Sequence, residues 1–320
     1  CTTHGKFSVL IEKEAGFYKR IMNKEFRGNR VPFQRLALPI TYQCNLNCQV
    51  CYAPYRENKD FSAEELKVAI RDFTGELIKL TGGEPTLSKN LPSIIKTIYE
   101  NKKDCTLVTN GVNLLNMNYV KMLKKAGLRR VAVALHGGFR DDIYEKINGQ
   151  KLLKKKLKAL KNLKKTGMEV VLSVTLVRDI NEDQVTKIYH YYLNNRTFVK
   201  ALRIRSLSYI GKYIENKPFY LSEIIELLSK VTRFKKEELI ESYFRYKHYH
   251  PEHRCSATCR FRIDLFNTFI YRIEKKGLQE KKFKKLRFIL ESLFLFGVRI
   301  TLEMIINKIK GKKRLLAAEI

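Results

Sequence analysis

Three cysteines, Cys44, Cys48 and Cys51, stand close together in the chain, separated by three and then by two residues. They follow an apolar stretch, Leu36 to Ile40, that predicts a β-strand and places all three thiols on one loop after it. Three thiolates can bind three irons of a four-iron four-sulfur cluster and leave the fourth iron open to a substrate or cofactor. The competing interpretation is half of a zinc knuckle, because a Cys-x-x-Cys pair alone is typical of zinc sites.

A second motif, Gly82-Gly83-Glu84-Pro85, follows another strand-like stretch of the chain. Adjacent glycines let a backbone approach a ligand closely, because no Cβ stands in the way. Together with the three-cysteine loop, this motif resembles the radical S-adenosylmethionine (SAM) superfamily, and the resemblance favours iron–sulfur over zinc. It implies that SAM chelates the open iron and that one electron, from a reductant such as ferredoxin or flavodoxin, cleaves it to a 5'-deoxyadenosyl radical.

The resemblance also implies roles for residues at the carboxyl ends of the strands, where barrels of this kind bind their ligands. Gly82, Gly83 and Glu84 would contact the methionyl amino group of SAM, and Pro85 would fix the turn. His136 follows the fourth strand and departs from the Ser or Asp-Gly that the family often carries there. Further cofactor contacts are implied for Tyr52 after the third cysteine, for Thr109 and Asn110 at the end of the third strand, and for Gly211 after the sixth strand.

Strand-like and helix-like stretches alternate from Leu36 to about Ile210. Six such repeats imply an α/β fold with a parallel sheet and right-handed crossovers, and the closest fit is the partial (β/α)6 barrel of TIM type found in radical SAM enzymes. Ser62 and Glu65 predict a capping box at the start of one helix. Asn181 is expected to cap a later helix or, with Arg178, to face the cavity.

We expect three parts: an N-terminal extension (1–34), the barrel core (35–215) and a mostly helical C-terminal extension (216–320). In the first part, Cys1 and His4 are spaced as in the second half of a small metal knuckle, whose partner cysteines would precede residue 1. This head of the chain resembles radical SAM proteins related to the archaeal tetraether lipid synthase. The alternative is a disordered tail with a stray cysteine and histidine.

A second group of metal-binding residue types lies near the other end of the chain. Cys255 and Cys259 are spaced like neighbours on a helix, and His250 and His253 precede them. Thiolate and imidazole both suit iron or zinc, so the group predicts an auxiliary iron–sulfur cluster or a zinc ion. Reduced, partly buried thiols are the alternative. Cys105, within the third strand, is expected to be a small buried apolar side chain.

The chain is strongly basic, with 63 Lys and Arg against 32 Asp and Glu and a formal charge of +31. Such a charge attracts polyanions, whether nucleic acid or an anionic membrane surface. Part of it covers ordinary helix surface. In the stretch Lys151 to Lys165, the leucines at 152, 153, 157, 160 and 163 predict an apolar stripe, and the lysines are expected to cover the remainder.

The stretch from Leu286 to Ile309 is rich in large apolar residues. Glu291, Arg299 and Glu303 interrupt it, which disfavours a transmembrane span. Its basic flanks predict a helix that lies in the headgroup region of an anionic bilayer. A helix packed over the barrel mouth is the alternative.

These patterns predict a radical SAM enzyme that abstracts hydrogen from an unactivated carbon, with a lipid or prenyl chain as substrate. No secretory signal peptide or disulfide pattern is visible, which favours a cytoplasmic protein. The apolar stretch with basic flanks would attach it peripherally at the inner face of the membrane. One alternative is an RNA- or peptide-modifying radical SAM enzyme. The other is a zinc-knuckle nucleic-acid-binding protein without enzymatic activity, which leaves the six strand–helix repeats without a role.

Overall fold

The computed structural model describes residues 5–6, 10, 12–22, 35–51, 61–207, 219–246, 262–265, 268, 271–272, 281–309 and 317–319. Strands within these ranges form one sheet. In chain order they are β1 (Arg35–Thr41), β2 (Leu77–Gly82), β3 (Asp104–Thr109), β4 (Arg130–Ala134), β5 (Glu169–Leu176), β6 (Val199–Ser206), β7 (Arg262–Asp264) and β8 (Ala317–Glu319).

The order of the strands across the sheet is β1-β2-β3-β4-β5-β6-β8-β7. The first six are parallel to their neighbours, so each pair needs a crossover connection. The helices of the described ranges are α1 (Ala15–Met22), α2 (Ala63–Asp72), α3 (Leu91–Glu100), α4 (Met117–Lys125), α5 (Asp141–Asn148), α6 (Leu153–Lys165), α7 (Gln184–Asn194), α8 (Leu221–Thr232), α9 (Lys236–Tyr246) and α10 (Lys281–Ile309).

The helices α2 to α7 connect the six parallel strands, which confirms the predicted α/β fold. The strands are buried on the core side; Leu107, Val131 and Leu172 are fully inaccessible to solvent. The predicted capping box is present at α2, where the Ser62 hydroxyl accepts the Glu65 N–H and the Glu65 carboxylate accepts the Ser62 N–H. This cap satisfies two N–H groups that the helix itself leaves unpaired.

The apolar stripe predicted for α6 is wrong at one position. Leu157 is 40% exposed, whereas Lys156 is only 1% exposed. Lys156 lies four residues after Leu152 and four before Leu160, a spacing that brings residues onto one helix face. The buried face of α6 therefore includes a lysine.

The C-terminal part adds two short strands to the sheet. β8 pairs parallel with β6, and β7 pairs antiparallel with β8. The predicted C-terminal extension, whose boundary stays a prediction, is therefore helical with a sheet contribution. No helix in the described ranges has the length and apolar character that crossing a bilayer requires.

The helix α10 folds back on itself at Gly297, whose φ of 77° and ψ of 172° are not helical. The Ser292 hydroxyl lies 2.8 Å from the Thr301 hydroxyl and 3.5 Å from the Met304 sulfur. In a straight helix, residues twelve apart would be separated by about 18 Å. The segment 281–309 is therefore a hairpin of two helices, called the C-terminal hairpin below, and the expectation of one continuous helix is wrong.

Candidate active site

The three cysteines lie on the loop of residues 42–51, called the cysteine loop, which follows β1. Cys44, Cys48 and Cys51 form no disulfide and all are partly exposed. Leu46 is buried in the main core, and Val50 packs on a smaller apolar cluster that includes residues of α5. The apolar residues anchor the loop, so the thiols stay at its accessible side.

The two glycines of the second motif pack against the backbone that leads into the cysteine loop. The N–H of Gly83 donates to the Thr41 carbonyl at 2.8 Å, and the N–H of Glu84 donates to the Gln43 carbonyl at 2.7 Å. A Cβ built on Gly82 would lie 2.1 Å from the Thr41 oxygen, and one on Gly83 2.1 Å from the Gln43 oxygen. The structure thus shows a close approach of these glycines to the chain itself, and the expected approach to a ligand stays a prediction.

The Glu84 side chain joins the ends of β2 and β3. It is buried, and its Oε1 accepts hydrogen bonds from the Thr86 hydroxyl (2.6 Å), the Thr109 hydroxyl (2.6 Å) and the Thr86 N–H (3.2 Å). Its Oε2 accepts the Asn110 N–H at 2.7 Å. Pro85 begins a short 3₁₀ helix, consistent with its predicted role in the turn. A contact between this motif and SAM stays a prediction.

The end of β3 is also tied to the cysteine loop. Asn110 Nδ2 donates to Asn45 Oδ1 at 2.7 Å, and Asn110 Oδ1 accepts the Val112 N–H at 2.9 Å. Thr109 is buried and its hydroxyl donates a hydrogen bond to the Glu84 carboxylate, so it helps to hold the ends of β2 and β3 together, which we call the frame of the site. The predicted contacts of Thr109 and Asn110 with a cofactor stay predictions.

Lys156 places a buried cation beneath this network. Its ammonium donates to the Asn110 carbonyl and, at 2.9 Å, to the Ala134 carbonyl, at the ends of β3 and β4. Burial lowers the pKa of Lys156 to about 8, against the opposing effect of Glu84 and Cys48. Sequence reasoning missed this residue, although its spacing on the face of Leu152 and Leu160 was a signal for burial.

His136 is held as a neutral ring at the end of β4. The Thr175 N–H donates to His136 Nδ1 at 2.9 Å, so the proton of the neutral ring is on Nε2. Burial, with the charges of Lys156 and Arg205, lowers the pKa of His136 to about 3. His136, to which the sequence assigned no role, is therefore a neutral ring that accepts a hydrogen bond from the backbone of β5.

Asn181 does not cap a helix, and that expectation is wrong. It is fully buried, and its amide donates to the carbonyls of His136 (2.9 Å) and Thr175 (2.8 Å). Its Oδ1 accepts the Val177 N–H at 2.8 Å, while the residue preceding α7 is Asp183. Asn181 therefore holds the ends of β4 and β5 together.

Arg178 is directed to α8: its guanidinium donates to Glu223 at 2.6 Å and lies 4.3 Å from the centroid of the Phe219 ring. The remaining candidate residues lie outside the described part of the chain, and their roles stay predictions. They are Cys1, His4, Tyr52, Gly211, His250, His253, Cys255 and Cys259.

The donor set of the cysteine loop fits an iron–sulfur cluster with an open iron. Among the described residues the cysteines are those three and Cys105, which is buried. Cys105 lies near the start of β3, whereas the loop follows the end of β1, and the parallel strands put these positions at opposite edges of the sheet. Three thiols on one loop are the donor type and number that such a cluster needs, and their binding of a cluster stays a prediction.

Comparisons with known proteins agree with this site. The family profile described as "Radical SAM superfamily" matches residues 38–192, which run from β1 into α7 and include the cysteine loop. The 7,8-dihydro-6-hydroxymethylpterin dimethyltransferase of Methanocaldococcus jannaschii is 31% identical over 247 residues, which cover 67% of this chain and 49% of that enzyme. The GTP 3',8-cyclase of Helicobacter pylori strain HPAG1 is 30% identical over 222 residues, which cover 66% of this chain and 67% of that enzyme.

The chain thus spans about half the length of the first relative and about two thirds of the second. Among solved structures, Streptococcus suis SuiB bound to S-adenosylmethionine matches with a TM-score of 0.55 and 18% identity, over 63% of this chain and 47% of SuiB. That likeness concerns the fold and confirms the partial barrel. The non-enzymatic zinc-knuckle interpretation is wrong, because the chain belongs to the radical SAM superfamily of enzymes, which use a four-iron four-sulfur cluster and SAM.

Proposed function

We propose that this protein binds a four-iron four-sulfur cluster at Cys44, Cys48 and Cys51 and cleaves SAM to a 5'-deoxyadenosyl radical, which abstracts hydrogen from an unactivated carbon. The observation that carries this proposal is the set of three partly exposed thiols on one loop at the carboxyl edge of a parallel sheet. When bound and reduced by a partner such as ferredoxin or flavodoxin, the cluster supplies one electron to the sulfonium of SAM.

The residues of the chain itself hold and orient the site. Gly83 binds Thr41 just before the cysteine loop, Glu84 binds Gln43 within it, and Asn110 binds Asn45, so the loop is held from the ends of two strands. Lys156 adds a buried cation near the thiolates, which favours an anionic cluster there. Together these contacts pre-organise the ligands before the cofactor binds.

The test is SAM cleavage by the anaerobically reconstituted full-length chain. Replacing Cys44, Cys48 and Cys51 together by Ala should abolish 5'-deoxyadenosine formation and lower the iron content by about one four-iron cluster per chain, because no thiolate of the loop remains. The matched control is Cys105→Ala, which removes a thiol outside the loop and should retain both. Cleavage of SAM by the triple variant would refute the assignment.

For the substrate, the named relatives favour a pterin or a guanine nucleotide. One relative is named for 7,8-dihydro-6-hydroxymethylpterin and the other for GTP. Both molecules contain a fused bicyclic ring whose pyrimidine half carries the same amino and oxo groups. We propose a substrate with this ring for the present chain. These names give no support to a lipid substrate or to the likeness with the tetraether lipid synthase group.

A lipid nevertheless stays as the second candidate, because the C-terminal hairpin exposes several large apolar side chains. They are 37–65% exposed and lie on both sides of the reversal at Gly297. We call this set the apolar ridge: Ile289, Leu290, Phe294, Val298 and Leu302. Exposed apolar patches mark interaction sites, and the flanking segments 281–287 and 308–314 each contain five Lys or Arg.

The two candidates separate in one substrate experiment. The reconstituted enzyme is incubated with SAM and, in turn, a deuterated dihydropterin, deuterated GTP and a deuterated prenyl lipid in vesicles. Deuterium should appear in 5'-deoxyadenosine only with the true substrate class, because the radical takes hydrogen from it. Transfer from the lipid alone would refute the bicyclic-ring proposal; transfer from none of them would refute both.

The membrane contact has its own test. The chain with Phe294→Asn and Val298→Asn should lose flotation with anionic vesicles that the wild type shows, because two of the most exposed ridge side chains no longer enter the headgroup boundary. Leu157→Asn, a change at an exposed leucine of α6, is the control and should float like the wild type. Equal flotation of all three proteins, or tighter binding to RNA than to vesicles, would contradict a membrane role for the ridge.

A further inference from the structure

Asn148, the last residue of α5, contacts one of the three cysteines. Its side-chain Nδ2 lies 3.1 Å from the sulfur of Cys48. Asn148 is 4% exposed, whereas Cys48 is partly exposed, so the contact is partly shielded from water. The two residues are one hundred positions apart in the chain, and neither motif points to this pair.

The backbone fixes the position of this amide. The Gln49 N–H donates to the Ile147 carbonyl at 2.9 Å, directly beside the contact. Gly149 then ends α5 with a φ of 79°, and its N–H donates to the Glu145 carbonyl at 3.0 Å. The last turn of α5 is therefore docked on the cysteine loop, and the amide does not depend on a free side-chain rotation to reach the sulfur.

The orientation of the amide follows from the chemistry of the sulfur. A metal-bound thiolate can only accept a hydrogen bond, so the NH₂ end of the amide must face it. The Oδ1 of Asn148 is buried without a hydrogen-bond partner within the described part of the chain, so no other contact there favours the opposite orientation.

A hydrogen bond to a ligating sulfur changes the energy of the two redox states unequally. The reduced cluster carries one more negative charge, and a donor directed at its thiolate stabilises that state more than the oxidised state. Hydrogen bonds to sulfur are among the factors that set cluster potentials. Burial strengthens the effect, because the local dielectric is low.

We propose that Asn148 is a positioning residue that raises the reduction potential of the cluster through its N–H bond to Cys48, and thereby makes the one-electron reduction needed for SAM cleavage easier. This inference rests on the proposed cluster at Cys48. Asn148 acts through the Cys48 sulfur and needs no contact with SAM or the substrate.

The test is a potentiometric titration, followed by electron paramagnetic resonance, of the reconstituted full-length protein. Asn148→Leu removes the donor at similar volume, and Asn148→Asp keeps the shape but replaces the donor by an acceptor. Both midpoint potentials should be more negative than that of the wild type, with Asp shifted further. Asn118→Leu, at an exposed position of α4, is the control and should leave the potential unchanged.

An unchanged midpoint in a variant that keeps its iron would overturn the proposal. Because a variant can lose its cluster, the bond is also measured in the unmodified sequence: protein labelled with ¹⁵N in its asparagine side chains should show a ¹⁵N coupling to the reduced cluster by pulsed resonance. Absence of that coupling would overturn the proposal as well. A wild type that binds no cluster and cleaves no SAM would instead refute the proposed function.

Discussion

Replacing Glu84 by Gln tests whether the frame of the site depends on one buried carboxylate. Glu84 is 1% exposed and accepts four hydrogen bonds, three at Oε1 and one at Oε2. A glutamine has one acceptor oxygen in place of two. Its best placement leaves the oxygen with the three donors and turns the NH₂ toward the Asn110 N–H, so two donors face each other.

The cost follows from these contacts. One hydrogen bond to a charged group is lost, at about 1.5–3 kcal/mol, and buried N–H groups remain unpaired, at about 1–3 kcal/mol. Glu84→Gln should therefore lower the free energy of unfolding by about 2.5–6 kcal/mol, a large part of the roughly 5–15 kcal/mol of a typical protein.

The assay is urea unfolding of the cluster-free, reduced protein, followed by far-ultraviolet circular dichroism. Glu64→Gln is the matched control, because Glu64 is an exposed residue in the first turn of α2 and its loss should cost only a few tenths of a kcal/mol. A Glu84→Gln protein as stable as this control would show that the buried carboxylate does not stabilise the ends of β2 and β3. If it were stable yet failed to bind SAM, the carboxylate would serve the ligand and not the frame.

Two further predictions concern the same edge of the sheet. Gly83→Ala should lose iron together with SAM cleavage, because the added Cβ would lie 2.1 Å from the Gln43 carbonyl oxygen and displace the cysteine loop. Gly16→Ala is the control and should keep both, since a Cβ there meets no atom within 4 Å. Full iron content in Gly83→Ala would contradict this geometry. Lys156→Met should lose the rise of folding stability with pH that the buried ammonium confers. The pKa of Lys156 is about 8 in the folded chain and 10.5 ordinarily, so between these values the unfolded chain holds more protons than the folded chain. The stability of the wild type relative to Lys156→Met should therefore rise by about 2 kcal/mol between about pH 7.5 and about pH 9.5. A constant difference in urea midpoints over this range would show that the lysine does not titrate as inferred.

The strands, the parallel order and the cysteine loop could be predicted because each depends on local pattern. Short apolar runs bounded by turn residues predicted the strands to within one or two residues, and the three cysteines together with Gly82-Gly83-Glu84-Pro85 indicated the family. The Ser62 capping box was likewise local. These features need no knowledge of what the chain meets in space.

The remaining features depend on contacts between distant segments. Nothing near Gly83 in the sequence identifies Gln43 as its neighbour, and nothing near Asn148 identifies Cys48. Lys156 could have been found, because its spacing puts it on the buried face of α6, but the preference of lysine for solvent outweighed that signal. The reversal at Gly297 depends on one residue with a positive φ inside a stretch that otherwise favours a helix.

The attachment of the cysteine loop has a consequence for the order of assembly. Residues 41–43 acquire their shape by pairing with residues 82–84, and the loop itself is held by residues 147–149. In zinc fingers the metal drives folding of an otherwise unfolded chain; here hydrogen bonds of the polypeptide itself hold the binding loop. Chain synthesised in iron-starved cells should therefore accumulate as folded protein and accept its irons and sulfides afterwards.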